Sequence, residues 1–178
     1  MRAAAALIAS TLTLLSACSD RSAPTDLARS SPGNALSINP SVSGPATPPF
    51  NDEIILRDVT GAGGFGHVKF RQPKDEDKIV YLDTWVRDLL PNTSYQLQRA
   101  TDVNVNDDCS GTNWLTLGKG SVAQSIATDD RGTGRESLFR NLATTPTGST
   151  FDIHFRVIEQ ATKTVVLESD CYQFVVIQ

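Results

Sequence analysis

Between Asp102 and Asp108 the chain crowds Asp102, Asn104, Asn106, Asp107 and Asp108 into one short stretch. Hard carboxylate and amide oxygens at this spacing suit Ca²⁺, as in extracellular calcium loops. An EF-hand is excluded: counted from Asp102, Asp107 stands at the obligatory glycine and Asn113 at the bidentate glutamate. The same side chains also cap their own backbone in turns. A solvated turn is therefore expected here, with Asp102, Asn104, Asn106 and Asp108 kept as calcium candidates. His67 and His154 are the two histidines of the chain. Without thiolates or a placed carboxylate they make no zinc site. Gly61-Ala62-Gly63-Gly64-Phe65-Gly66 spells G-x-G-x-x-G, but a dinucleotide site needs a helix to begin there. His67 to Arg71 alternates like a strand instead, so the glycines predict a hairpin or bulge. No Gly-x-Ser-x-Gly elbow frames a serine. Asp83, Asp88, Glu136, Asp152 and Glu168 are carboxylates with no spacing that pairs any two for glycoside hydrolysis. Neither catalysis nor a cofactor is expected, and what remains is recognition. Tyr81 and Trp85 share one face of a predicted strand with Asp83 and Arg87, opposite Val80, Leu82 and Val86. Exposed, they would be a platform for a glycan or a peptide; a central strand covered on both faces is the competing arrangement. Trp114, in the loop after Cys109, is a separate candidate anchor.

These residues have to be delivered to a compartment and held in a fold. Arg2, the uncharged run from Ala3 to Leu15, and the small residues Ser16 and Ala17 are the three parts of a secretory signal. The run is too short to span, since a membrane helix needs roughly 20 apolar residues. Leu15-Ser16-Ala17-Cys18 resembles the lipobox of bacterial lipoproteins. That resemblance covers residues 1–18. It implies a signal peptide at 1–17, cleavage before Cys18, and acylation of Cys18 with palmitate-type chains. More than one acyl chain is what stable anchoring requires. Ser19 in place of Asp after the cysteine implies the outer membrane in a Gram-negative cell. With Cys18 so occupied, Cys109 and Cys171 form an even pair in an oxidising compartment, and a disulfide is expected between them. In the chain-entropy model, its loop of about 60 residues corresponds to roughly 4 kcal/mol.

Residues 18–50 read as a tether. Pro24, Pro32, Pro40, Pro45, Pro48 and Pro49 stand among Ser, Thr, Gly and Ala, with few bulky apolar residues. Such a segment cannot bury enough surface to offset its ordering entropy. Its root-mean-square reach is about 30 Å.

Residues 51–178 are long enough for one domain with its own core. Phe151, Ile153, Phe155 and Val157 alternate with Asp152, His154 and Arg156, and Val68 and Phe70 alternate with His67, Lys69 and Arg71. Further strands are predicted at 53–57, 79–87, 94–100, 114–117, 122–128, 137–142, 164–168 and 171–177. Turn-rich stretches separate them, the one between Pro73 and Asp77 included. Short strands without a helical segment predict an all-β, antiparallel Greek-key β-sandwich. Leu89-Leu90-Pro91-Asn92-Thr93-Ser94-Tyr95 resembles the tyrosine corner of fibronectin type III and immunoglobulin-like domains. The resemblance implies that the Tyr95 hydroxyl bonds to backbone a few residues upstream. The chain departs from that family in carrying about 80 residues beyond Tyr95, so extra strands are expected. A weaker resemblance is to copper-zinc superoxide dismutase, also an exported Greek-key fold with a disulfide from a long loop to the last strand. Cys109 and Cys171 fit those places, but two histidines cannot supply that enzyme's six histidine ligands, so the resemblance implies the scaffold alone.

A formal net charge of −4 gives no electrostatic case for nucleic acid. The expected protein is a lipid-anchored component of the cell envelope whose β-domain binds an envelope protein or glycan. The alternative is an extracytoplasmic enzyme or metal-dependent redox protein on the dismutase-like scaffold.

Overall fold

Alternation at period two becomes a set of strands in the computed structural model, which describes residues 50–73 and 77–177. The expected signal peptide at 1–17, Cys18 and the expected tether through residue 49 lie outside the described residues, as do 74–76 of the predicted turn. In chain order the strands are β1 (Phe50–Asp58), β2 (Phe65–Gln72), β3 (Ile79–Arg87), β4 (Ser94–Asp102), β5 (Leu115–Thr116) and β6 (Gly118–Lys119). They continue as β7 (Val122–Ala123), β8 (Ile126–Ala127), β9 (Gly134–Asn141), β10 (Thr150–Glu159), β11 (Val165–Ser169) and β12 (Tyr172–Val175). No helix forms among the described residues. In β3, Val80, Leu82, Thr84 and Val86 are buried while Ile79, Tyr81, Asp83 and Trp85 are half-buried.

The all-β class holds, but the sheet is barrel-like and mixed where an antiparallel, immunoglobulin-like sandwich was expected. Its order is β5-β4-β10-β11-β1-β2-β3-β9-β6-β7, with β12 on β10 and β8 on β4. Two facing sheets require a gap in the ladder, and here the gap is bridged by one short piece of chain. β5 pairs with β4 through Gln98 and Thr116, and β6 pairs in parallel with β9 through Lys119 and Phe139. Between them Leu117 is buried, and its N–H donates to the Leu97 carbonyl at 2.8 Å. The chain then crosses the same gap again. β8 pairs Ile126 with Tyr95, and Thr128 bridges to Gly134 on β9. The predicted strands at 114–117 and 122–128 are thus broken into two-residue pieces that sew β4 to β9. Gly118 allows β7 to approach β6 closely, because a Cβ there would fall on the Val122 carbonyl oxygen.

Inside the sheet Leu56, Val68, Val86, Leu97, Phe155, Val157 and Leu167 are almost wholly excluded from water. At one end Phe174 packs edge-on against Phe70 at 5.0 Å and Phe151 at 5.3 Å. Gln72, itself fully buried, holds the C-terminal segment there: its Nε2 donates to the Ile177 carbonyl at 2.7 Å, and its Oε1 accepts from the Ile177 N–H at 3.1 Å. The tyrosine corner forms as its motif implies. Tyr95 is 1% exposed, and its hydroxyl accepts from the Leu90 N–H at 3.0 Å.

Candidate functional site

Tyr81 and Trp85 lie on the outer face of β3, half-buried, in the centre of a four-strand surface made by β1, β2, β3 and β9. Antiparallel register sets their neighbours. His67 stands opposite Trp85 and Trp85 opposite Arg135; Lys69 stands opposite Asp83 and Asp83 opposite Ser137. Arg71 stands opposite Tyr81, and Tyr81 opposite Phe139. Cross-strand neighbours on one face are close enough to touch, and here they do. The Arg71 guanidinium lies over the Tyr81 ring at 5.7 Å, and Arg87 lies 5.0 Å from the Phe65 centroid and 5.7 Å from that of Trp85. Phe65 meets Trp85 edge-on at 6.3 Å. Asp83 accepts from Ser137 Oγ at 2.8 Å and from Arg71 at 3.3 Å, so its carboxylate is held upright by both neighbouring strands.

Around Trp85 the surface dips into an open depression of about 430 Å³ walled by His67, Lys69, Asp83 and Arg135. His67 Nε2 lies 3.6 Å from Glu53 and has no hydrogen-bond partner among the described residues. Lys69 and Arg135 form no ion pair among the described residues. The outward positions of these four strands carry Arg57, Lys69, Arg71, Arg87 and Arg135 against Glu53 and Asp83. This is a cation-rich, aromatic face on a chain of net charge −4. Phe65, Lys69, Arg135 and Phe139 join Tyr81 and Trp85 only through strand pairing, and the outward places of Phe65 and Phe139 in their alternating strands were the signal available for the rings.

Trp114 is placed elsewhere. It lies against the outer face of β10, between His154 at 4.5 Å and Arg156, whose guanidinium sits 3.9 Å over the indole. Arg156 also donates through Nε to Gln98 at 2.8 Å, and His154 Nε2 contacts the Gly111 carbonyl oxygen at 3.0 Å. These contacts fasten the loop after β4 onto β10. The Cys109–Cys171 disulfide fastens it a second time, with Cα atoms 5.5 Å apart. The alternation in β10 placed Asp152 with the solvent-facing residues; the fastened loop buries it completely, and its Oδ2 accepts from the Asn106 N–H at 2.9 Å.

The calcium candidates sit in this loop and spend oxygens on its backbone. Asp102 accepts from the Ser110 hydroxyl and from the Asn104 N–H at 3.0 Å, and the first of these, then the second, holds its carboxyl below the usual carboxylate value. Asn106 accepts from the Asp108 N–H at 3.2 Å. Asn104 and Asp108 are exposed. Among the described residues no three His, Cys, Asp or Glu side chains gather to hold a metal. His67 and His154 are on strands three spacings apart in the sheet order, about 14 Å. Gly61 to Gly64 lie in the β1–β2 connection and Gly66 in β2, and the amides of the connection are drawn to Asp58 rather than to an outside anion: Gly63 and Thr60 each donate to it at 2.8 Å.

No protein family, curated protein or solved structure matches this chain.

Proposed function

We infer that the protein is a lipid-anchored module of the bacterial cell envelope, fixed through Cys18, whose barrel binds an acidic glycan on the outer face of β1, β2, β3 and β9. The observation that carries this is the excess of cations around Trp85 and Tyr81 on an otherwise acidic chain. Net charge −4 disfavours an anionic partner everywhere except where cations are collected. Lys69 and Arg135, free of ion pairs among the described residues, are available to carboxylate or phosphate groups. A pyranose ring has one CH-rich face that packs on an indole and hydroxyls that hydrogen-bond at its rim; Trp85 and Asp83 offer both in one open depression. An open trough suits a polymer that runs across it, whereas small ligands favour enclosed pockets. The lipobox supports the anchor, and the proline-rich segment supports a domain held away from the lipid surface.

The test is co-sedimentation of the full chain with acidic and neutral envelope polysaccharides over a salt series. Retention on the acidic polymer that weakens with salt, and is lost in both Trp85→Ala and the Lys69→Ala/Arg135→Ala pair, is the expected result. Equal retention on neutral polymer, or retention indifferent to these substitutions, would remove this face from the reading. Intact-mass measurement from the native host tests the anchor separately: a chain beginning at Cys18 plus acyl mass supports it, and an unacylated chain refutes it.

A further inference from the structure

The barrel interior holds two arginines that the outer face does not explain. In β4 the inward series runs Tyr95, Leu97, Arg99, the first two buried and the third paired across from Phe155. In β9 Arg140 follows the buried Leu138 at the same inward spacing and pairs with Val80. Both side chains therefore point to the lumen side of the sheet. They meet at the end of the barrel where an apolar hollow of about 40 Å³ is lined by Phe70, Leu142, Phe151 and Phe174. By the usual measure this is room for about three waters, or for a few methylene groups.

Arg140 also lines a second, open trough of about 370 Å³ beside the hollow, with Gly120, Ser121, Asn141 and Thr144. Arg99 Nη1 donates to Thr101 Oγ1 at 3.0 Å, and Arg140 Nη1 to the Gly120 carbonyl at 3.4 Å. Among the described residues no carboxylate forms an ion pair with either guanidinium. Burial, and then the charge of Arg140, pull Arg99 below its ordinary value. Two cations that repel one another at an apolar opening are poorly satisfied without an anion between them.

We propose that this mouth binds an anionic amphiphile, its head group clamped by Arg99 and Arg140 and the near end of its alkyl chain seated in the hollow. An anion alone leaves the aromatic lining unused. A neutral hydrocarbon leaves the guanidinium donors unused. The sequence apolar hollow, guanidinium pair, polar trough matches a molecule with one charged end and one greasy end, such as a fatty acid or an acidic membrane lipid.

The probe is octanoate, titrated calorimetrically into the full chain alongside octanol and acetate. Saturable binding of octanoate at least about tenfold tighter than either control is expected, because each control forfeits one half of the contact. Arg99→Gln and Arg140→Gln each lower octanoate affinity by about tenfold or more, while the fold, read by circular dichroism, is retained or strengthened as the mutual repulsion is relieved. Octanol binding as well as octanoate, acetate binding as well as octanoate, or no saturable binding of octanoate each overturns the proposal. The comparison of the three probes on the unaltered chain stands even if a variant misfolds. Competition separates the two sources of the ligand: displacement of octanoate by phosphatidylglycerol vesicles but not by phosphatidylcholine vesicles assigns it to membrane lipid, and no displacement by either assigns it to free fatty acid.

Discussion

Replacing Cys109 and Cys171 together by serine opens a loop whose ends are 62 residues apart in sequence. In the chain-entropy model a crosslink of that span restricts the unfolded ensemble by about 4 kcal/mol at 25 °C. That is a large share of the roughly 5–15 kcal/mol that holds a typical domain folded. The loop after β4 retains its Trp114 stack on His154 and Arg156, so the native state keeps most of its contacts and the loss falls on the unfolded side. Two observables follow from urea unfolding. With a slope near 2 kcal/mol per molar, the midpoint falls by about 2 M. The slope itself rises, because an uncrosslinked chain exposes more surface when it unfolds. The assay is equilibrium denaturation of the oxidised protein and the double-serine variant, followed by tryptophan fluorescence and far-ultraviolet circular dichroism. A midpoint drop with an unchanged slope would refute the unfolded-state account and place the loss in the native loop. A drop below about 0.5 M would refute the magnitude as well.

Two further outcomes rest on single groups. Tyr95→Phe removes the buried hydroxyl that accepts from the Leu90 N–H and is expected to cost about 1–2 kcal/mol in the same assay without changing the slope, whereas a neutral result would mean the corner is closed by packing alone. Asp58 is held at about 2, below the ordinary 3.8, by the Thr60 hydroxyl first and then by the Gly63 and Thr60 amides. Because the folded value is the lower one, its contribution to the β1–β2 connection is complete above 3.8 and is lost as pH falls through about 2. The Gly63 and Thr60 amide resonances should titrate in that range and stop doing so in Asp58→Asn; an apparent value near 3.8 would show that the connection does not grip the carboxylate.

The long strands were legible because each has one face to bury: β3 keeps its alternation throughout and β10 spells it from Phe151 to Val157, and the tyrosine corner is a local motif that needs no distant partner. The closure of the sheet was not legible. Residues 115–128 are apolar enough to read as strand, but their pairing with β4 on one side and β9 on the other is a property of the assembled barrel. The polar series Asp152, His154 and Arg156 has the alternation of a solvent face, and nothing local announces that a loop 40 residues away in sequence will be fastened over it. Tyr81 and Trp85 were visible as a pair with Arg87 on their own strand; Lys69, Arg71 and Arg135 come from β2 and β9 and needed the register. Arg99 and Arg140 were visible in principle, as charges that follow Leu97 and Leu138 at the inward spacing. A charge at an inward position breaks the local pattern, and such breaks concentrate where a protein does something other than fold.

The stitch between β4 and β9 has a consequence for how the molecule ages and crowds. The longest joins in the barrel run to eight paired residues, as between β1 and β2, and those of β11 to three, whereas β5 and β8 give β4 two pairs each and β6 gives β9 one. Local opening costs least where ladders are shortest, so the barrel unzips first along this seam while the rest stays closed. Each such event bares the edges of β4 and β9, nine and eight residues long, to any strand nearby. Bare edges of that length recruit other chains. Where identical molecules are crowded side by side, the shelf life of the protein is governed by how rarely a few two-residue ladders let go, more than by the depth of its core.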